Sequence, residues 1–329
     1  LWRPIALLWA LSWLWRVYWV DQGQHFYEIF FRFDTRASGL FAGALLAAVM
    51  IERPDFIAAL KARMHHAMWV PLAVPLLIGT VAQEIDINQQ ISLVEDMIVQ
   101  GVKAILIAPV DSKAIVPVLV KAQAQGILII NLDNRIDADA AAAAGLRITS
   151  YVGVDNEEGG RMSGAYLVQL LGGKGRVAML EGIRGVDNAE ARKRGFLKSL
   201  QGTGVELAAS QSANWLQDQA LDVCSNMLQA NPDLDGLFCA NDMMALGAIQ
   251  ALRQAGKGGQ VRVTAFDNIE AAQLALREGV LHATIDQHPE LMGYYGVLIA
   301  EEALAGRVTR EKLVPLELIT RENLPEETK

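Results

Sequence analysis

The chain has 329 residues, 52% of them hydrophobic and 20% charged, and a formal net charge of −8. This length is sufficient for two domains with separate hydrophobic cores. The excess of acidic residues repels phosphate backbones, and the sequence has no basic patch with interleaved aromatic residues, so nucleic acid is not an expected partner.

Composition changes near residue 82. The first 82 residues contain six of the seven Trp and six of the nine Phe. They also hold seven of the 29 Lys and Arg residues and five of the 37 Asp and Glu residues, which leaves 22 basic against 32 acidic residues in the remainder. The sequence therefore predicts an aromatic, apolar N-terminal segment followed by an acidic body.

Three apolar stretches occupy much of the N-terminal segment, at 4–20, 37–51 and 65–82. Each is somewhat short for a membrane span, but Trp residues cluster near the ends, and Gly39, Gly43 and Ala47 provide a surface for close helix packing. We expect membrane helices within residues 1–82. The basic loop around Arg53 should be cytoplasmic, which places the body in the periplasm, tethered to the inner membrane.

Residues 31–50 read FRFDTRASGLFAGALLAAVM, an Asp-Thr-Arg triplet followed by a span rich in Gly, Ala and Leu. This stretch resembles part of the integral-membrane acyltransferase-3 family, whose members acylate surface polysaccharides. The resemblance covers about residues 1–80, and the earlier part of the family that carries the catalytic histidine has no counterpart in this sequence. We therefore do not expect acyltransferase activity.

From residue 86 onward, short apolar strands alternate with amphipathic helices, a pattern typical of parallel sheets with helices on both faces. The run Ala140–Gly145 interrupts this series and is interpreted as a surface turn before the chain crosses between two sheets. Helices are predicted at 86–101, 112–125, 157–171, 189–200, 218–229 and 244–254, and strands at 103–109, 127–133, 151–155, 175–182, 205–211, 236–242 and 261–267.

Polar motifs follow the ends of these strands: NLDNR, AEARKRGF, SANW, CANDMMALG, AFDN and TIDQHP. Open α/β sheets bind ligands at the carboxyl ends of their strands. Carboxylates, amides and a guanidinium can read hydroxyl groups, and an indole can cover the C–H face of a ring. The motifs therefore predict a site for a neutral polyhydroxylated molecule, formed by Asp133, Arg192, Trp215, Asn241, Asp267 and Gln287.

Two longer segments, DINQQISLVEDMIVQGVKAILIAPVDSKAI and NPDLDGLFCANDMMALGAIQAL, resemble the periplasmic sugar-binding proteins of ABC importers, of the ribose-binding type. The resemblance covers about residues 84–329. It implies an α/β periplasmic-binding-protein fold with parallel sheets and two lobes, the first formed by 84–148 with 288–316 and the second by 150–287. It also implies a non-enzymatic protein without cofactor or metal, which binds a monosaccharide or cyclitol and presents it to an importer permease.

Matching the family residue by residue assigns a ligand-binding role to each of the six candidates. Trp215 matches an aromatic residue that stacks on the sugar ring, and Arg192 matches the sugar-binding arginine. The carboxylates and amides at Asp133, Asn241, Asp267 and Gln287 match the remaining ligand groups. A seventh candidate, Asn134, occupies a position that is Arg in the ribose binders, so sugar and cyclitol both remain open as ligands.

Structural roles are the alternatives for several of these residues. Asp242 follows a strand and opens a helix, so it is predicted to be an N-cap and is left out of the site. Asp267 could equally cap a helix from Ile269. Further alternatives are that Asp133 only orders a turn, that Trp215 is only core, and that Arg192 pairs with Glu190 or Asp187.

The sequence departs from the sugar-binding family at its start. Family members begin with a strand, an aromatic-bearing loop and a helix, which are absent ahead of Glu84. We expect a first lobe that is truncated at its N-terminus and lacks one stacking face. The alternative functions are a membrane acyltransferase fragment fused to a sugar-sensing domain, or a non-functional truncated fusion.

Other chemistries lack a matching motif. LGGKGRV precedes a strand and lacks the spacing of a phosphate-binding loop, so a turn is predicted there. The His and Cys residues have no metal-ligand spacing, and no Ser/His/Asp set can be assembled. Cys224 and Cys239 lie in apolar surroundings. Buried free thiols are therefore the favoured interpretation, and a disulfide between them is the alternative.

Overall fold

The computed structural model describes residues 86–308 and 310–324. The membrane helices and the acyltransferase-like stretch predicted for residues 1–82 lie outside the described residues. Within the described residues, no helix is both long and apolar enough to cross a membrane.

A four-stranded parallel sheet is built mainly from the first part of the described chain. Its strand order is β1-β2-β3-β9, so the last short strand joins after a long excursion of the chain. Its elements are α1 Ile87–Val99, β1 Ala104–Ile107, α2 Val116–Ala124, β2 Leu128–Leu132, α3 Ala138–Ala144, β3 Ser150–Gly153 and β9 Lys312–Leu313.

A six-stranded sheet follows, with strand order β10-β8-β7-β6-β4-β5. Its strands are parallel except β10, which pairs antiparallel with β8. Its elements are α4 Asn156–Leu170, β4 Lys174–Glu181, α5 Asp187–Leu200, β5 Gly204–Ser212, α6 Gln217–Ala230, β6 Gly236–Cys239, α7 Asp242–Gln254, β7 Arg262–Thr264, α8 Glu270–Glu278, β8 Ala283–Asp286 and β10 Glu317–Thr320.

Each sheet has its own core, and a third apolar cluster joins them. In the six-stranded half, Phe196 of α5 stacks on Phe238 of β6 with ring centroids 4.5 Å apart. The third cluster includes Ile130 and Val152 of the four-stranded sheet together with Phe266 and Ile285 of the other. Helix α9, Pro289–Leu304, leads the chain back towards the four-stranded sheet and packs against its strands.

The prediction of a surface turn at Ala140–Gly145 is wrong. The alanine run forms helix α3, because the Asp137 carboxylate caps it by accepting from Ala140 N at 2.8 Å, and Gly145 ends it in the left-handed conformation at φ 68°. Alanine has the highest helix propensity of all residues, so a capped run of alanines folds as a helix even at this short length.

Strand β3 corrects one detail of the predicted division into lobes. The prediction places residues from 150 onward in the second lobe, but Ser150 and Tyr151 pair with Ile130 and Asn131 of β2 in the four-stranded sheet. The chain therefore crosses between the sheets after β3. A short apolar strand has the same pattern in either sheet, so the sequence alone does not assign it.

The two cysteines are buried free thiols, on α6 and β6. Burial raises the pKa of the Cys224 thiol to about 12, and burial also raises that of Cys239 well above its ordinary value. Since the thiolate is the reactive form, we expect the native protein to resist a thiol reagent such as DTNB, and both thiols to react in guanidinium chloride. Rapid labelling of the native protein, or no labelling after unfolding, would contradict this.

Candidate functional site

Most of the candidate ligand residues lie where strands of the two sheets end. Asp133 directly follows β2, and Gln287 directly follows β8. Asn241 and Asp267 lie two and three residues after β6 and β7. Arg192 lies on α5. Contacts connect five of the seven predicted residues to one another: Arg192, Trp215, Asn241, Asp267 and Gln287.

Arg192 is the centre of the arrangement. Its side chain is only 3% exposed, and Nε donates to Asn156 Oδ1 at 2.8 Å. Nη1 donates to the carbonyl of Ala240 at 2.9 Å and lies 3.4 Å from Asp267 Oδ1. The alternative partners Glu190 and Asp187 are therefore wrong: Arg192 pairs across the sheet edge with Asp267. A guanidinium this deeply buried requires such partners, since an unpaired buried charge is strongly destabilising.

Two aromatic rings flank this guanidinium. Its central carbon lies 3.6 Å from the ring centroid of Phe266 and 5.6 Å from that of Trp215. Trp215 has a left-handed backbone at φ 67°, and its ring lies directly against Gly182, where an added Cβ would be 2.2 Å from the indole. Trp215 is only partly buried, so it is held in place by core residues without being enclosed by them.

Asp267 is held in an unusual backbone conformation at φ 120°. Its N–H donates to the carbonyl of Ile285 at 2.8 Å, and its Oδ1 accepts from Gln287 Nε2 at 2.9 Å. Helix α8 has its N-cap at Ile269 and no side-chain cap among the described residues. The alternative that Asp267 caps this helix is therefore wrong, and its carboxylate is directed to Arg192 and Gln287.

The residue that caps α7 is Asn241. Its Oδ1 accepts from Met244 N at 2.9 Å, and its Nδ2 lies 3.4 Å from the carbonyl of Trp215. Asp242 is the first residue of the helix, so the prediction that Asp242 is the N-cap is wrong. Asn and Asp are nearly equal as N-caps, and two adjacent cap formers cannot be ordered from sequence.

Asp133 orders a turn with its backbone, and its carboxylate has an oxygen that can accept a further hydrogen bond. Its backbone, at φ 54°, donates to Val152 O at 2.9 Å, and its carbonyl accepts from Tyr151 Oη at 2.6 Å. Burial raises the pKa of the carboxyl, and the positive charge of Arg192 opposes this. Ordering the turn therefore uses the backbone of Asp133 and leaves its carboxylate available for another partner.

Three buried oxygens at these strand and helix ends have no hydrogen-bond partner among the described residues: Asp133 Oδ1, Gln287 Oε1 and Asn188 Oδ1. Buried acceptors in native proteins are nearly always paired with protein, water or ligand, so each of these atoms can accept a further donor. Thr264 Oγ1 and Asn268 Oδ1 are also buried without a hydrogen-bond partner among the described residues. Hydroxyl groups of a ligand can donate to the three oxygens of Asp133, Asn188 and Gln287.

Asn188 is the residue that sequence reasoning missed. It lies in the first turn of α5, four positions before Arg192, and residues four apart share one face of a helix. The spacing from Asn188 to Arg192 in VDNAEARKR was the signal that could have found it. A prediction that starts from strand ends overlooks a helix start.

Asn134 bonds to protein groups on both sides of the gap between the sheets. Its Nδ2 donates to Pro109 O at 2.9 Å, and its Oδ1 accepts from Asn188 N at 3.4 Å. Ser112 Oγ similarly lies 3.5 Å from Asp187 N. Two side chains of the four-stranded half therefore face the N-terminus of α5. The ligand contact predicted for Asn134 stays a prediction.

Comparison with known proteins places this chain among periplasmic binding proteins. The profile of the family described as "Periplasmic binding protein domain" matches residues 73–307, which is more than half of the chain. This chain belongs to that family. The predicted α/β fold with two lobes and parallel sheets is thereby confirmed.

Relatives within the family cover most of the body. The D-ribose/D-allose-binding protein of Pseudomonas aeruginosa is 40% identical over 245 residues, which are 73% of this chain and 76% of the relative. A solute-binding protein of Actinobacillus succinogenes with bound D-allose has a TM-score of 0.70 and 42% identity, covering 74% of this chain and 85% of that one. One from Bacillus halodurans with bound myo-inositol has a TM-score of 0.67 and 30% identity, covering 74% and 82%.

Proposed function

We propose that this chain binds a monosaccharide or a cyclitol between its two lobes and delivers it to the permease of an ABC importer. The observation that carries this proposal is the set of buried, unpartnered acceptors at Asp133, Asn188 and Gln287, beside the Arg192–Asp267 pair. A sugar or inositol supplies several hydroxyl donors at fixed angles, which suits such a set. The relatives that bind allose, ribose or myo-inositol support the same ligand class.

The proposed contacts divide by chemistry. The carboxylates of Asp133 and Asp267 accept from ligand hydroxyls, Arg192 donates, and the amides of Asn241 and Gln287 can do either. Trp215 covers one C–H face of the ring. Hydrogen bonds to charged groups contribute about 1.5–3 kcal/mol each, so a few of them can distinguish a correct sugar from one with an inverted hydroxyl.

We propose two lobes. The first consists of residues 84–148 and 288–316 together with strand β3, and the second consists of the rest of residues 150–287. Binding proteins of two lobes close around their ligand as rigid bodies. The contacts of Ser112 and Asn134 with the N-terminus of α5 support this closure, because they join side chains of the first lobe to backbone N–H groups of the second.

Replacing Asn134 by Ala should favour an open form. The change removes the acceptor for Asn188 N, which is a contact between the two lobes, so closure loses a polar contact that water replaces in the open form. The bond to Pro109 O, which is also lost, lies within the first lobe. We expect about threefold to tenfold weaker sugar binding, since a neutral hydrogen bond contributes about 0.5–1.5 kcal/mol. Small-angle scattering should show a larger radius of gyration; an unchanged radius and affinity would contradict this role.

We further propose a periplasmic location, with residues 1–82 as a tether to the inner membrane. The family supports the location, and the three apolar stretches and the basic loop around Arg53 support the tether. A reporter enzyme that is active only in the periplasm, fused after Lys329, should be active. Activity from a cytoplasmic reporter alone would contradict the topology.

A thermal-shift screen of the full chain tests the function directly. Ligands that bind only the folded state raise its melting temperature in proportion to the logarithm of ligand concentration. D-ribose, D-allose, other aldoses and myo-inositol should be compared with sucrose, which controls for nonspecific stabilisation by an osmolyte. We expect a selective rise with a few monosaccharides or inositols; no selective rise with any of them would contradict the proposal.

A further inference from the structure

Asp242 is a fully buried carboxylate that does not cap its own helix, because Asn241 performs that task. One of its oxygens, Oδ2, accepts from the backbone N–H of Ile269 at 2.9 Å. The other, Oδ1, accepts from Thr284 Oγ1 at 2.8 Å. Both bonds leave α7 and reach groups on neighbouring elements of the six-stranded half.

These bonds hold the loop that carries Asp267. Asp267 and Asn268 are consecutive non-glycine residues with positive φ, at 120° and 60°. Such backbone conformations persist only where the surrounding structure imposes them. The N–H of Asp267 is fixed by Ile285 O, that of Asn268 lies 3.2 Å from Thr284 Oγ1, and that of Ile269 bonds to Asp242.

Asp242 therefore fixes two consecutive N–H groups of the loop, one directly and one through Thr284. The same β6–α7 turn holds two other parts of the site: Ala240 O accepts from Arg192, and Asn241 Nδ2 faces the carbonyl of Trp215. A single turn thus connects to the arginine, the aromatic residue and the loop of the acidic residue.

We propose that Asp242 is a positioning residue for ligand binding, which acts through Thr284 and the backbone of Asn268 and Ile269 to direct the Asp267 carboxylate. The proposal rests on the proposed function, because the affinity it controls is that for a sugar. It predicts that hydrogen-bonding ability at residue 242, more than negative charge, sets the affinity.

The electrostatic surroundings agree with this emphasis on hydrogen bonds. Burial raises the pKa of the Asp242 carboxyl well above its ordinary value, and the nearby charge of Asp267 raises it further. In Asp242→Asn, the amide oxygen can accept from Ile269 N. The amide nitrogen can donate to Thr284 Oγ1, which reverses the direction of that bond but leaves the hydroxyl oxygen able to accept from Asn268 N as well. The Asn variant should therefore retain the loop, whereas Asp242→Ala removes both bonds.

The test compares full-chain variants by calorimetric titration with D-allose and D-ribose, and by hydrogen–deuterium exchange of the 266–272 segment without sugar. Asp242→Ala should weaken binding at least tenfold and speed exchange in this segment at least tenfold. Asp242→Asn should remain within threefold of the wild type in both. Thr284→Val should weaken binding several-fold, and its effect should be less than additive with Asp242→Ala, because the two residues act in one chain of bonds.

Leu252→Ala is the matched control. Leu252 is buried on the same helix, 3% exposed, and packs in the core of the six-stranded half, so its loss destabilises the fold without removing a bond to the loop. Its affinity should stay within threefold of the wild type.

Several outcomes would overturn the proposal. These are wild-type affinity and exchange in Asp242→Ala, an Asn variant as impaired as the Ala variant, or an equal loss of affinity in the Leu252 control. If Asp242→Ala does not fold, Thr284→Val decides, and unchanged exchange in that variant counts against the proposal. If the wild type binds none of the screened sugars, the proposed function fails, while the exchange comparison still tests the positioning of the loop.

Discussion

Replacing Arg192 by Ala, or Asp267 by Ala, should weaken sugar binding by about thirtyfold or more. Each change removes one partner of a desolvated charge pair, and such truncations cost about 2–5 kcal/mol. Arg192→Ala also leaves Asn156 Oδ1 and Ala240 O without their buried donor, so it should lower the free energy of unfolding more than Asp267→Ala does. Calorimetric titration with D-allose and D-ribose measures the affinities, and thermal unfolding measures the stabilities.

Arg194→Ala is the control for these two variants. Arg194 lies on the same helix, two residues further on, but its side chain is 55% exposed and pairs with Glu157 at the surface. Exposed ion pairs contribute about 0–1 kcal/mol. Residues two apart on a helix lie on nearly opposite sides of it, so Arg194→Ala should not change the affinity. Unchanged dissociation constants in both Arg192→Ala and Asp267→Ala would refute the assignment of the site.

Gly160→Ala should impair both stability and binding. Helices α4 and α5 pack so closely that a Cβ at Gly160 would lie 2.2 Å from the backbone oxygen of Arg192. Either the helices separate or Arg192 moves, and overpacking of this kind costs about 1–3 kcal/mol. We expect a melting temperature lower by about 2–4 °C for each kcal/mol lost, together with weaker sugar binding because Arg192 is displaced.

Gly293→Ala provides the matched comparison. Gly293 is also a helical glycine, on α9, but nothing lies within 4 Å of the position its Cβ would occupy. Alanine is favoured over glycine in a helix by about 1 kcal/mol, so this variant should be as stable as the wild type or more stable. If Gly160→Ala matched Gly293→Ala in stability and in affinity, the close packing of α4 on α5 would not control the site.

The sequence was sufficient to predict those elements that depend on the pattern of neighbouring residues alone. Apolar strands alternating with amphipathic helices indicated parallel sheets, and the motifs at the strand ends located Asp133, Asp267 and Gln287 next to one sheet edge or the other. The pairing of Arg192 with Asp267 was not predictable in this way, because these residues are 75 positions apart and Arg192 had nearer carboxylates on its own helix.

Other features depended on small energy differences or on tertiary contacts. Asn241 and Asp242 are both good N-caps, and which of them caps α7 decides which one is free to bond elsewhere. The role of Asn188 depends on which part of the protein the first turn of α5 faces in the fold. The pattern of strand β3 would fit either sheet, and its pairing with β2 and β9 assigns it to the four-stranded one. In each case, the local pattern of residues did not decide the outcome, which depends on contacts made in the folded protein.

A crystal structure of the full chain with D-allose tests the central claim most directly. The proposed function predicts a sugar between the lobes, with its hydroxyls within hydrogen-bond distance of Asp133 Oδ1, Asn188 Oδ1 and Gln287 Oε1 and its ring against Trp215. Its remaining polar contacts should be to Arg192, Asn241 and Asp267. An occupied sugar that leaves those three oxygens unpaired, or that binds away from the Arg192–Asp267 pair, would contradict the account.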